Sequence, residues 1–155
     1  MKFDGKLLER GFWLYVWKVS APTKMFLYVG RTGDSSSRYA NSPFNRIGQH
    51  LDIRDTAKGN AMARQLKSKG INPQDCSFEM IAIGPIFPEQ KTMENHKPYR
   101  DKVAALEKAA SIYLKTRGYD VLGVHHASQQ PDAIVFTKVI GLLDNEFPDT
   151  KKSKN

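Results

Sequence analysis

Two runs of the chain, "FWLYVWKVS" at 12–20 and "MFLYVG" at 25–30, are dense in aromatic and β-branched residues. "SAPTK" between them supplies the proline and small residues of a turn, so the pair reads as a β-hairpin. "GRTGDSSSRYANS" then reads as a loop. Ser42 followed by Pro43 is a helix start, N-cap then first helical residue. From there Phe44, Ile47 and Leu51 repeat at i, i+3, i+7 as an apolar stripe. "NAMARQLKSKG" reads as a second short helix, capped at Asn60 and stopped at Gly70. "CSFEMIAIG" alternates like a third strand, and "PIFPEQKTMENHKP" reads as a proline-bounded connection. The longest helical pattern runs from about Tyr99 to Arg117 and ends at Gly118. "DAIVFTKVIGLLDNEF" gives a last helix within 131–147, ahead of a structureless basic tail over 149–155. These elements make an α+β fold, a small three-stranded, mainly antiparallel sheet flanked by helices. No repeat or linker divides the chain, so 1–155 reads as one domain.

Composition adds a direction. Lys and Arg outnumber Asp and Glu by 24 to 16, a net charge of +8. The final "KKSKN" contributes three of these charges, so the rest stays basic without it. A basic surface favours polyanions, nucleic acid ahead of membrane, because no helix is both basic and strongly amphipathic; plain solubility is the other reading. Cys76 is the single cysteine, which rules out an internal disulfide and fits a reducing, cytoplasmic setting. In a strand-like run it reads as a buried structural thiol rather than a nucleophile. No apolar stretch approaches the ~20 residues of a membrane span, and "MKFDGKLLERGF" lacks the apolar core of a signal peptide.

The candidate chemistry is sparse. Arg46 and His50, four apart, share one flank of the first helix, away from Phe44 and Leu51. An arginine there suits a phosphate and a histidine beside it can relay a proton, although such a pair is also what a solvated flank looks like. Glu107 is more telling. Val103, Leu106, Ala110, Tyr113 and Leu114 form the apolar face of the long helix, and Glu107 falls about 20° from Leu114 on the helical wheel. A carboxylate at that margin needs a partner, a metal or a cleft. Lys108 and Lys115 point elsewhere, leaving Arg100 as the one intrahelical partner in reach. The His125-His126 pair has no ligands at zinc spacing and reads as loop polarity. No P-loop, GxGxxG or GxSxG motif is present.

The segments "WLYVWKV", "FLYVGRTGD", "FNRIGQH", "ALEKAASIYL" and "GYDVLG", in this order, resemble the GIY-YIG nucleases. The resemblance spans residues 12–122. Trp13-Leu14-Tyr15 and Tyr28-Val29-Gly30 stand where that family has its name-giving tripeptides. Arg46 and His50 keep its helix spacing, and Glu107 matches its metal-binding carboxylate. Trp13 departs from the usual glycine, and Asp120 stands where a late asparagine is common, which puts a second carboxylate in play.

The resemblance implies a metal-dependent endonuclease acting on DNA, with RNA not excluded. One Mg²⁺ or Mn²⁺ is expected on Glu107 and the scissile phosphate. Tyr15 is the expected general base, its pKa lowered by nearby positive charge. Tyr28 orients water, Arg46 stabilises charge on the phosphoryl oxygens, and His50 assists proton transfer. Gly30 lets backbone approach the phosphate, with Arg31 and Arg38 as further nucleic-acid contacts. Specificity has to come from the loops at 31–42 and 84–98, the C-terminal segment, or a second subunit in a homodimer. That resembles compact restriction-type members. The alternative is a GIY-YIG scaffold that grips nucleic acid without cutting it. No membrane partner is expected.

Overall fold

The computed structural model describes residues 2–151. The chain begins with a short 3-10 turn, Gly5–Leu8, and continues into β1 (Gly11–Ser20) and β2 (Met25–Arg31). Two short helices follow, α1 (Pro43–His50) and α2 (Ala61–Ser68), then β3 (Ser77–Pro88) and α3 (Met93–Thr116). β4 (Val121–Leu122) and α4 (Ala133–Glu146) complete the order. The sheet has four strands in the order β3-β1-β2-β4, and not the expected three. β1 pairs antiparallel with both β2 and β3, while β4 pairs parallel with β2, Leu27 with Val121 and Tyr28 with Leu122. Two residues of strand leave no alternation to detect, so β4 escapes a pattern reading.

The hairpin forms as expected, with Ser20 opposite Met25. Every residue of β1 from Phe12 to Trp17 is buried. Alternate faces explain this. Leu14, Val16, Leu27 and Val29 pack with Ala110, Leu114, Val139 and Leu143 from α3 and α4. Tyr15, Trp17, Phe26 and Tyr28 pack on the opposite side with Met62 and Leu66 of α2. A central strand covered on both faces reads as continuous hydrophobicity rather than alternation.

β3 runs past the expected connection to Pro88, with a bulge where its partners step from Phe12 to Leu14. Pro85 lies inside it, which an edge strand tolerates because one row of its N–H groups is unpaired. α3 starts at Met93, six residues before the expected Tyr99. Oγ1 of Thr92 caps it by accepting from N–H of Asn95 at 3.2 Å, and Pro98 sits inside the second turn. Ser42 caps α1 and Asp132 caps α4. Asn60 stands at the N-cap of α2, but its Nδ2 donates to the Asp52 carbonyl instead of its side chain capping the helix. Cys76 is half-buried and donates to the Asn72 carbonyl, short of the full burial expected. The expected loose tail is tied down at its start: N and Oγ1 of Thr150 both donate to the Arg117 carbonyl. Residues 152–155 lie outside the described residues.

The stripe on α1 is corrected in one respect. Phe44, Ile47 and Leu51 are only half-buried, whereas Pro43 and His50 are the buried residues of that helix. Phe44 meets Phe3 of the N-terminal segment, ring centroids 4.7 Å apart, while Ile47 and Leu51 pack against the cluster of Tyr15, Trp17 and Tyr28. The polar flank also turns toward the sheet, where His50 meets Tyr15.

Candidate active site

One small cleft, about 100 Å3, collects Tyr15, Tyr28, Gly30, Arg31, Asp34, Arg46, His50 and Glu107. Five elements contribute: β1, β2, the loop after β2, α1 and α3. β4 ends at Leu122, opposite Tyr28, so β2 has no strand partner on that edge from Val29 onward. There the side chains of Glu107 and Arg31 meet. The five residues expected to carry catalysis are therefore brought together from positions 92 residues apart along the chain.

Tyr15 is fully buried on β1 and its ring lies across Gly30, its partner in the β1–β2 register. A Cβ on Gly30 would sit 2.9 Å from the Tyr15 hydroxyl oxygen and closer still to the ring. The absence of a side chain at Gly30 thus makes room for tyrosine, where backbone approach to a phosphate was the expected reason. The Tyr15 hydroxyl oxygen is 3.1 Å from the Arg31 carbonyl oxygen and 2.6 Å from Nε2 of His50, and can donate to either. A phenol has one hydrogen. If it goes to Arg31, Nε2 of His50 carries a proton and donates to Tyr15; if it goes to His50, Nδ1 carries the proton instead. Either way Nδ1 is buried without a partner among the described residues.

Burial sets the protonation states. His50 is pushed down to about 3, by burial first and then by the Arg46 charge, so it is neutral at pH 7. Burial raises the Tyr15 hydroxyl far above its ordinary value, and Arg46 only partly opposes it. This corrects the expectation of a lowered tyrosine pKa: the phenol is desolvated more strongly than the neighbouring guanidinium can compensate. Tyr28 is likewise pushed up to about 12 by burial, with the Glu107 charge adding to it.

Arg46 is not on a solvated flank. Its side chain is 15% exposed, Nη1 lies 3.6 Å from Oδ2 of Asp34, and it bonds Gln49. Its Nε is buried and has no hydrogen-bond partner among the described residues. Asp34, a cleft residue that sequence reasoning passed over as loop polarity, sits below its ordinary value: burial raises it, but hydrogen bonds from Ser36 and the charges of Arg46 and Arg31 outweigh that.

Glu107 does have a partner, one that helical geometry alone could not reveal. Nε of Arg31 donates to its Oε2 at 3.1 Å, across 76 residues of sequence. Arg100, the intrahelical candidate, pairs with Asp101 instead. Burial raises the Glu107 carboxyl above 4.5, despite the nearby charges of Arg31, His125 and Arg46. His125 was read as loop polarity, yet its Nε2 is bound to the Val29 carbonyl at 2.9 Å and its Nδ1 is buried without a partner among the described residues. Its tie to the open edge of β2 is a tertiary fact that sequence spacing does not carry.

Two expected residues stand apart from the cleft. Arg38 bonds the Tyr39 hydroxyl and lies over that ring at 4.9 Å. Asp120 pairs with Lys24 at 2.5 Å near the hairpin turn, so it is not a second carboxylate in the cleft. Among the described residues no cluster of three or more His, Cys, Asp or Glu is arranged to hold a metal ion. Glu107 fits the lesser requirement of a hard divalent cation that keeps most of its waters and takes one or two carboxylates. Its Oε2 is held by Arg31, and Oε1 has no hydrogen bond among the described residues and is not sealed off from solvent. No helix is long and apolar enough to cross a membrane among the described residues.

Comparison with known proteins returns no matching family model, no matching curated protein and no matching solved structure.

Proposed function

We propose that the chain is a metal-dependent endonuclease of GIY-YIG type, hydrolysing phosphodiester bonds in DNA within the cytoplasm. The observation that carries this reading is the convergence of Tyr15, Tyr28, Arg46, His50 and Glu107 on one cleft. Core packing alone does not call for two tyrosines, an arginine, a neutral histidine and a carboxylate around one hollow, since each costs desolvation.

The roles follow from the protonation states. His50, neutral and 2.6 Å from the Tyr15 oxygen, is an acceptor that holds no proton on Nε2 in one of its tautomers. Tyr15 takes a proton from the attacking water while its own passes to Nε2 of His50. One water O–H bond breaks, the tyrosine O–H is re-formed, and an N–H forms on the imidazole. This replaces a free phenolate, which burial makes costly, by a transient imidazolium, which burial and the Arg46 charge also disfavour, so the proton has to move on quickly. Arg46, held by Asp34, faces charge that grows on the phosphoryl oxygens. Tyr28 stays a neutral phenol and orients water by hydrogen bonding. Glu107 would hold one Mg²⁺ or Mn²⁺ through Oε1, with Arg31 released or retained on Oε2. Such an ion, when bound, neutralises phosphate charge and stabilises the leaving oxygen.

A second reading has one observation in its favour. Arg31 already neutralises Glu107 without a cation, which a non-cleaving nucleic-acid-binding module would also tolerate. Incubation of supercoiled plasmid with and without Mg²⁺ or Mn²⁺ separates the two. Cation-dependent nicking or linearisation is expected; plasmid, single-stranded DNA and structured RNA all left intact across several metals would refute the nuclease.

A further inference from the structure

The cleft does not stand alone. Arg31 forms one wall of it and also one wall of a polar hollow of about 540 Å3, lined in addition by Arg100 and His126. That hollow shares Ala127 and Ser128 with a third, of about 400 Å3, whose wall carries Lys108 and Gln130. The three join end to end through shared side chains. Together they form one trough that leaves the cleft at Arg31 and follows α3 and the segment leading to α4.

The chemistry of its walls is uneven in sign. Its polar atoms come from Arg31, Arg100, Lys108, His126, Ser128 and Gln130, beside an apolar side made by Ala105, Ala109, Ile112 and Pro131. Away from Glu107 and Asp34 in the cleft itself, Asp101 is the one carboxylate of the lining, and Arg100 neutralises it at 2.7 Å. Lys108 has no ion pair among the described residues, so its charge is open to a ligand. The trough is open and its wall is mixed, and Lys108 with the hydroxyl and amide donors suits a backbone of phosphates better than a compact apolar molecule.

We propose that this trough carries a polynucleotide strand away from the cleft, with Arg100 and Lys108 each holding a flanking phosphate. This rests on the nuclease reading for the position of the scissile phosphate, but the binding it describes can be measured without cleavage. Hydroxyl and amide donors such as Ser128 and Gln130 add contacts to phosphate and sugar that carry no sequence information.

The test is a double variant, Arg100→Gln with Lys108→Ala, compared with Lys24→Ala with Lys69→Ala. The control removes the same two charges at the hairpin end of the sheet, where both lysines lie over the Phe26 ring. Binding of a fluorescent oligonucleotide is followed from 50 to 300 mM salt in EDTA, as single strand and as duplex. Circular dichroism establishes that both variants fold. The trough variant should bind at least tenfold more weakly than wild type, and the slope of log K against log[salt] should flatten by about 1.4 for single strands or 1.8 for duplex. The control should lose threefold or less.

Equal losses in the two variants would overturn the proposal in favour of diffuse surface charge. A trough variant binding within twofold of wild type would overturn it outright, as would polyglutamate competing as well as oligonucleotide. If wild type binds with the expected slope and never cuts, the nuclease reading fails and the trough stands. If wild type cuts and the trough variant binds normally, the reverse holds.

Discussion

The Tyr15 hydroxyl lies 2.6 Å from Nε2 of His50, joining the central strand to the polar flank of α1. Both groups line the cleft but are almost wholly buried, and the contact holds a phenol that resists ionisation against an imidazole that resists protonation. The pair is therefore stable as two neutral groups at pH 7 and can pass one proton between them.

Tyr15→Phe removes the hydroxyl and keeps the ring. It should lower plasmid cleavage by 10²-fold or more, within the usual range for losing a general acid–base group, while leaving oligonucleotide affinity within about threefold. It also strands the Arg31 carbonyl and the His50 ring, so unfolding free energy should drop by roughly 1–3 kcal/mol. Denaturant titration beside single-turnover kinetics reads both effects. Near-normal turnover in this variant would remove Tyr15 from the proton path.

The buried histidine makes a second prediction, on stability against pH. His50 titrates near 6.5 when unfolded and is pushed down to about 3 when folded. Below pH 6.5 the unfolded chain binds a proton that the folded chain refuses. The contribution of His50 is thus fully present above about 6.5 and is lost as pH falls toward 3, by up to ~1.4 kcal/mol per pH unit. Glu107, raised above 4.5, acts in the opposite sense, gaining a proton in the folded state as pH falls. Unfolding midpoints from pH 6.5 to 4.5 should therefore fall less steeply in His50→Gln than in wild type. Parallel curves would show that His50 titrates normally.

Gly30→Ala tests the reason for the glycine. The new methyl meets the Tyr15 ring, which is walled in on all sides, so the ring or the strand has to shift. Overpacking of this kind costs roughly 1–3 kcal/mol. Turnover should fall with stability, because the shift moves the hydroxyl off His50. An alanine variant as active and as stable as wild type would mean that the backbone yields easily there.

Much of this arrangement is visible in the order of residues. The hairpin, the Ser42 cap and the Arg46–His50 spacing are local, and local signals survive into the fold. Glu107 at the margin of an apolar face announced a buried carboxylate but not its partner, because Arg31 comes from a different element. β4 is too short to carry a pattern. The start of α3 was hidden because Pro98, five residues into the helix, reads as a boundary, since proline removes a helical N–H and restricts its predecessor. Gly84 and Pro85 hid the far half of β3 in the same way. His125 and Asp34 joined the site's surroundings through tertiary contacts that neither spacing nor composition encodes. The tyrosine's raised pKa was missed because the arginine's charge was legible and the depth of burial was not.

Arg46 separates turnover from grip. Its guanidinium is fixed by Asp34 and Gln49, so a lysine cannot occupy the same geometry. Arg46→Ala should lower kcat by more than it raises KM, and Arg46→Lys should restore little of the loss. An Arg46→Lys enzyme with nearly full kcat would make the residue a simple phosphate anchor.

The most direct measurement is Glu107→Gln beside wild type, on the same substrate, across a Mg²⁺ and Mn²⁺ titration. The variant keeps the shape of the side chain and removes the charge that burial already disfavours. Cleavage should collapse at every metal concentration and nucleic-acid affinity in EDTA should hold or rise, while stability at pH 7 should fall, because Arg31 loses its charged partner. A Glu107→Gln protein that still cuts with metal-dependent rates near those of wild type would contradict the metal assignment, and with it the nuclease.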